Sequence, residues 1–168
     1  MSSHQHKKHA PVNLNVAILT VSTSRSLAED KSGKWIAAHA VQKERHTVVC
    51  HDLVTDDIKA IQEGVCDAIN THSPHLLILT GGTGIAKKDL TIEAVRPLFR
   101  KELTAFAPLA TQVSAEKIDS AAMLSRTTAG IIGKTAVFCI PGSLDACKRI
   151  CKALIFPEAG HLAKHIDE

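Results

Sequence analysis

The chain has 168 residues, 45% hydrophobic and 22% charged, which are the proportions of one ordinary globular domain and not of a disordered chain. A domain of this length buries roughly 70% of its unfolded surface and needs no disulfide or metal staple. A net charge of +3 without a basic stripe argues against nucleic acid, and 3% aromatics with no tyrosine leaves an aliphatic core and no platform for stacked bases.

Residues 1–12, with His4-Gln5-His6-Lys7-Lys8-His9, read as a flexible polar tail ahead of a single domain over 13–168. Val16 to Val21 is a short continuous apolar run, the signature of a strand buried on both faces. A polar loop from Ser22 to Glu29 follows. Asp30, Ser32 and Gly33 then open a helix carrying Trp35, Ile36, Ala37, Ala40 and Val41. His46 to Val54 reads as a second strand. Asp56 and Asp57 lead into a helix with Ile58, Ile61, Val65, Cys66 and Ile69 at helical spacing, which Pro74 ends. His75 to Thr80 is a third buried strand. A helix is expected from about Thr91 to Phe99, and short helices with a connection over 102–130. Lys134 to Ile140 is another apolar strand. Ser143 starts a helix through Cys147, Ile150 and Leu154, and Pro157 permits a last helical turn or two to His165. Strands alternating with helices predict an α/β fold whose mostly parallel sheet is covered on both faces.

The five cysteines form no CxxC pair and are odd in number, which disfavours a disulfide framework. Cys147 and Cys151, four apart, share a helix face and read as buried thiols. No leader-like segment and no membrane-length apolar run is present, so the expected location is cytoplasmic, with no membrane partner. His161 and His165 are also four apart and are expected on a solvated helix face.

Parallel strands place their carboxyl ends on one edge, where ligands of open α/β sheets bind. Four loops converge there: Ser22-Thr23-Ser24-Arg25-Ser26, Thr55-Asp56-Asp57, Thr80-Gly81-Gly82-Thr83-Gly84 and Pro141-Gly142-Ser143. The third has three glycines in five residues, which allows a sharp turn with unshielded N–H groups, an anion-binding concavity. A following helix start adds positive partial charge, and Lys87 and Lys88 add formal charge. The same composition also suits a plain tight turn. It is neither a Walker A loop nor a dinucleotide fingerprint, because Lys87 stands where the third glycine of GxGxxG belongs. Ser143 is a natural helix cap, and its loop suits contact with a ligand equally well.

Asp56 and Asp89 follow two of the strand ends. Two carboxylates beside a phosphate site suit a Mg²⁺ ion bridged to phosphate oxygens, and each also suits a helix cap. Arg25 and Arg126 can pair with anionic oxygens or lie on the surface.

Thr80-Gly81-Gly82-Thr83-Gly84 followed by Asp89 resembles the TGGTG…D signature of the MoaB/Mog family of molybdenum cofactor biosynthesis proteins. The likeness runs through nearly the whole chain: Val21-Ser22 with Arg25, Asp30-Lys31-Ser32-Gly33, Leu53-Val54-Thr55-Asp56-Asp57, Ala122-Met123-Leu124-Ser125-Arg126, Ile140-Pro141-Gly142-Ser143, and a carboxyl end from Leu154 to Leu162 like that of the B branch. The resemblance implies a three-layer α/β/α sandwich assembling as a homotrimer or hexamer. It implies adenylylation of molybdopterin, the pterin's terminal phosphate attacking the α-phosphate of ATP with Mg²⁺ as cofactor. It implies catalytic and Mg²⁺-binding roles for Asp56 and Asp89. Ligand-binding roles fall on Ser22, Arg25, Thr80, Gly81, Gly82, Thr83, Gly84, Ser125, Pro141, Gly142 and Ser143. The alternative within the same branch is a protein that holds molybdopterin without catalysis. A flavodoxin-like FMN module is a weaker third idea, since few aromatics are available to sandwich a flavin. One departure stands out: the family's usual GFG turn is Ala105-Phe106-Ala107 here, which would be strained wherever φ must be positive.

Overall fold

A computed structural model describes residues 13–168, so the expected tail lies outside the described residues. A six-stranded sheet runs in the order β2-β1-β3-β6-β5-β4. Its strands are β1 (Asn15–Val21), β2 (Thr47–Val54), β3 (Leu76–Thr80), β4 (Lys101–Glu102), β5 (Thr128–Ile132) and β6 (Thr135–Ile140). β1, β2, β3 and β6 are mutually parallel, whereas β5 and β4 close one edge antiparallel.

Period-two alternation divides the core into two layers. Val16, Ile18, Leu76, Ile78, Phe138 and Ile140 face helices α1 (Lys31–Gln42), α4 (Phe106–Ile118), α5 (Leu144–Ile150) and α6 (Phe156–Asp167). Ala17, Leu19, Leu77, Leu79, Val137 and Cys139 face α2 (Ile58–His72) and the short α3 (Thr91–Val95). The fold is the expected three-layer sandwich.

Local chemistry explains the helix ends. Asp30 caps α1 by accepting from the Gly33 amide, and Asp57 caps α2 by accepting from Ala60. α2 ends with Ser73 in the left-handed region, one residue before Pro74. Between α5 and α6 the helical path widens into a π-turn over Cys151–Ile155. Pro157, which lacks an N–H, sits in the first turn of α6 immediately after it.

The expected Thr91–Phe99 helix is shorter: α3 stops at Val95 and gives way to a 3₁₀ turn over Arg96–Leu98 containing Pro97. The 102–130 region holds more order than short helices. It contains the 13-residue α4, a 3₁₀ turn over Asp119–Leu124 and the strand β5. β5 joins β6 through a tight turn in which Gly133 has φ +57°. Ala105 and Ala107 are not strained. Among the described residues only Arg45 and Ser73 are non-glycines with positive φ. The Ala105 carbonyl accepts from Leu109 as α4 begins, and Phe106 is buried.

Candidate functional site

β1 and β3 are neighbours, but the chain leaves β1 toward β2 on one side and continues from β3 toward β6 on the other. That divergence opens a crevice at their carboxyl ends. The crevice is a cleft of about 290 Å³. The glycine loop forms its floor. Ser22, Ser24 and Arg25 come from the loop after β1, Asp56 from the loop after β2, and Pro141 and Gly142 from the loop after β6. Lys88, Asp89, Leu124 and Ser125 complete the rim.

The glycine loop is fixed from several sides. The Gly81 amide donates to Ile140 at 3.1 Å, which ties β3 to β6. Gly81 and Gly82 have φ of +107° and +62°, a conformation that L side chains avoid. A Cβ on Gly81 would press on the Val21 carbonyl, so chain packing also requires glycine there. The Thr91 hydroxyl donates to the Gly81 carbonyl at 2.7 Å, and the Thr91 amide donates to Gly82 at 3.0 Å. Carbonyls are thus held on the protein side. The amides of Gly82, Thr83 and Gly84 make no hydrogen bond to the described residues. These three residues line the cleft, and their amides remain available to an oxyanion bound there.

Arg126 clamps the far side of this loop. Its amide donates to Thr83 at 2.9 Å, and its guanidinium donates to the carbonyls of Gly84 at 2.8 Å and Asp89 at 2.9 Å. The same guanidinium pairs with Glu93, and its hydrogen bond holds the Glu93 carboxyl below the usual carboxylate range. Arg126 therefore shapes the loop and spends its charge on protein groups.

Both acids flank the loop. Asp56 accepts from the Thr23 amide and hydroxyl, and its other oxygen lies 3.5 Å from where a Cβ on Gly82 would be. Asp89 accepts from the Ala86 amide at 2.8 Å, and the same oxygen lies 2.6 Å from where a Cβ on Gly84 would be. Neither acid caps a helix; Asp57 does that for α2.

The expected ligand set divides. Ser22, Arg25, Gly81, Gly82, Thr83, Gly84, Ser125, Pro141 and Gly142 line the cleft with both acids. The Ser125 hydroxyl oxygen is buried there and has no partner among the described residues. Thr80 and Ser143 stand behind the wall. The buried Thr80 hydroxyl donates to the Pro141 carbonyl at 3.0 Å, and Ser143 caps α5 by accepting from Ala146. The Cys147 thiol also donates to Pro141, and burial pushes it up to about 11. All five cysteines are free thiols. Sequence reasoning passed over Thr23 and Thr91, because a Thr beside polar residues or at a helix start gives no signal of its own. Their roles emerge only when distant segments meet.

The sequence profile of the family described as Probable molybdopterin binding domain matches residues 17–161. The chain belongs to this molybdenum cofactor biosynthesis family. It is 40% identical over 167 residues to molybdenum cofactor biosynthesis protein B of Bacillus subtilis strain 168, covering 99% of this chain and 98% of that one. It is 36% identical over 174 residues to a molybdopterin adenylyltransferase of Pyrococcus furiosus, with both chains fully covered. A crystal structure of a molybdenum cofactor biosynthesis protein B superposes with a TM-score of 0.89 at 36% identity, covering 95% of this chain and 99% of that one. The resemblance read from the glycine signature and the flanking motifs is thereby borne out as a family relationship, and so is the three-layer fold. Among the described residues no helix is long and apolar enough to cross a membrane.

Proposed function

We propose that this family member acts in molybdenum cofactor biosynthesis by binding molybdopterin in the cleft and adenylylating it with ATP. The observation that carries the reading is the row of amides at Gly82, Thr83 and Gly84, unpartnered among the described residues, between the carboxylates of Asp56 and Asp89. A phosphate oxygen of the pterin attacks the α-phosphorus of ATP. The new P–O bond forms as the bond to the β-phosphate oxygen breaks, and pyrophosphate leaves with the electron pair. A deprotonated phosphate carries no proton to remove, so the protein's work is alignment and charge neutralisation. The loop amides hold anionic oxygens, Arg25 and Lys88 add positive charge at the rim, and the Ser125 hydroxyl offers a directional donor. The donor set fits magnesium: two carboxylates beside a phosphate site are the oxygen ligands that ion takes, with substrate phosphates and water completing its shell. Held by Asp56 and Asp89, the ion would supply charge stabilisation at the transferring phosphate.

The relative from Pyrococcus furiosus bears the name molybdopterin adenylyltransferase, which supports ATP as co-substrate. Assembly as a homotrimer or hexamer is part of the proposal. Ile85, Leu109, Met123 and Leu124 leave large apolar surface in water on a lone chain, with Met123 76% exposed. Light scattering of the purified protein tests this, a monomer mass being the adverse result. A cytoplasmic location, where ATP is available, is part of the same proposal. The deciding experiment incubates protein, molybdopterin, Mg²⁺ and ATP and looks for AMP-linked pterin. Product formation is expected. Pterin binding without product would instead establish the non-catalytic reading.

A further inference from the structure

We propose that His161 and His165 on α6 form a chelating site for a divalent transition metal with square-planar or tetragonal preference, Cu(II) or Ni(II), distinct from the cleft. The two residues lie one helical turn apart, and their Nε2 atoms approach to 2.9 Å. On the opposite side of each ring the Nδ1 atom meets a carboxylate, Glu158 at 3.2 Å for His161 and Glu168 at 3.0 Å for His165. A carboxylate accepts, so each Nδ1 is assigned the proton, which sets the two Nε2 lone pairs against each other at 2.9 Å, a contact that a shared proton or a cation between them relieves. A carboxylate–histidine–metal relay has this form, with the acid fixing ring orientation and tautomer.

The dimensions select the geometry. With metal–nitrogen bonds of about 2.05 Å, two nitrogens at a right angle stand about 2.9 Å apart, and in a tetrahedral site about 3.3 Å apart. The observed 2.9 Å is the right-angle value. The ring centroids are 4.6 Å apart. Rings aimed head-on at that nitrogen separation would place them about 5.2 Å apart, and rings converging on a cis-coordinated metal about 4.5 Å. The observed spacing is that of convergence. Among the described residues no group of three or more His, Cys, Asp or Glu surrounds one point. Among the described residues the site is therefore a two-histidine chelate.

The surroundings favour a cation. The pair occupies the last turns of α6, where the helix dipole is negative, with Asp167 and Glu168 at the terminus. Asp167 bridges to Lys134, which precedes β6 at the sheet edge opposite the cleft. Metal at this site would thus leave the glycine loop undisturbed.

The test uses full-length protein in which His4, His6 and His9 are changed to glutamine, so that the amino-terminal stretch cannot supply the signal. Cu(II) is titrated at fixed pH and followed by paramagnetic resonance. One Cu(II) per chain with splitting from two imidazole nitrogens is expected. His161→Gln or His165→Gln should each weaken binding at least tenfold, and Glu158→Gln should weaken it to a lesser degree. Absence of bound Cu(II), or binding unchanged in both histidine variants, would overturn the proposal.

Discussion

Asp56 takes two hydrogen bonds from Thr23 through one carboxylate oxygen, from the main-chain N–H and from the hydroxyl, each at 2.7 Å. The other oxygen is left toward Gly82 and the cleft. Thr23 thus orients the acid without neutralising it. Asp56→Asn retains an oxygen for Thr23 and removes only the charge. We expect a melting temperature close to wild type and AMP-pterin formation lower by about 100-fold or more. Thr23→Val should give a smaller loss, since charge remains and orientation is lost.

Asp89 makes a different test. Its carboxylate accepts from the Ala86 amide, and the Ala86 carbonyl accepts from the Asp89 amide at 2.9 Å, so the residue also closes its own turn. Asparagine can keep that closure. Asp89→Asn should fold normally by circular dichroism and give no product above background. Wild-type turnover in this variant would remove Asp89 from the catalytic set.

Arg126 offers a way to separate loop shape from charge. It donates to the carbonyls of Gly84 and Asp89 while pairing with Glu93. Lysine keeps the charge but cannot span these acceptors with a planar fork. Arg126→Lys is expected to raise KM for the pterin about tenfold or more, whereas Glu93→Gln, which leaves both carbonyl contacts in place, should raise it less. Equal effects would mean that the ion pair, rather than the clamp, sets the loop.

Gly82 and Gly133 form a matched pair, with φ of +62° and +57°. A Cβ at Gly133 meets nothing within 4 Å, so alanine there costs only left-handed strain, about 1–2 kcal/mol. A Cβ at Gly82 also presses on the Thr91 hydroxyl, the anchor of the loop. Urea denaturation and steady-state assays of the two alanine variants should diverge. Gly133→Ala keeps full activity at reduced stability; Gly82→Ala loses more stability and its activity.

The parallel part of the fold was legible because β1, β3 and β6 are buried on both faces and read as unbroken apolar runs. β5 was missed although Ile132-Gly133-Lys134-Thr135 carries a glycine turn, because Thr128-Ala129-Gly130 lacks the bulk that marks a strand. Gly130 is small for a tertiary reason: a Cβ there would press into the Phe99 ring. At the site, the glycine loop and both acids were legible from their position after strand ends. Thr80 and Ser143 were expected in contact with ligand and instead brace the wall, a distinction set by the direction of a hydroxyl and not by sequence position.

The last prediction concerns a buried acid that braces the cleft from behind. Asp30 is fully buried and accepts from the Thr20 hydroxyl at 2.5 Å, the Gly33 amide at 2.9 Å and His51 Nε2 at 2.9 Å. Burial pushes its carboxyl up, but the hydrogen bonds from Thr20, Gly33 and His51 together bring it below the ordinary value. A carboxyl lowered in the folded state stabilises the fold above its unfolded pKa, about 3.9, and loses that contribution as pH falls through the lower folded value. Asp30→Asn should cost about 1–3 kcal/mol at neutral pH, through a weakened cap and altered partners. The gap between variant and wild type in urea midpoint should shrink as pH drops below about 4. A gap that stays constant from pH 7 to pH 3 would show that the charge is not what stabilises. Because Asp30 starts α1, and the Ser32 hydroxyl in its first turn donates to the Gly142 carbonyl at 2.9 Å, the same variant should also weaken pterin binding at the rim of the cleft.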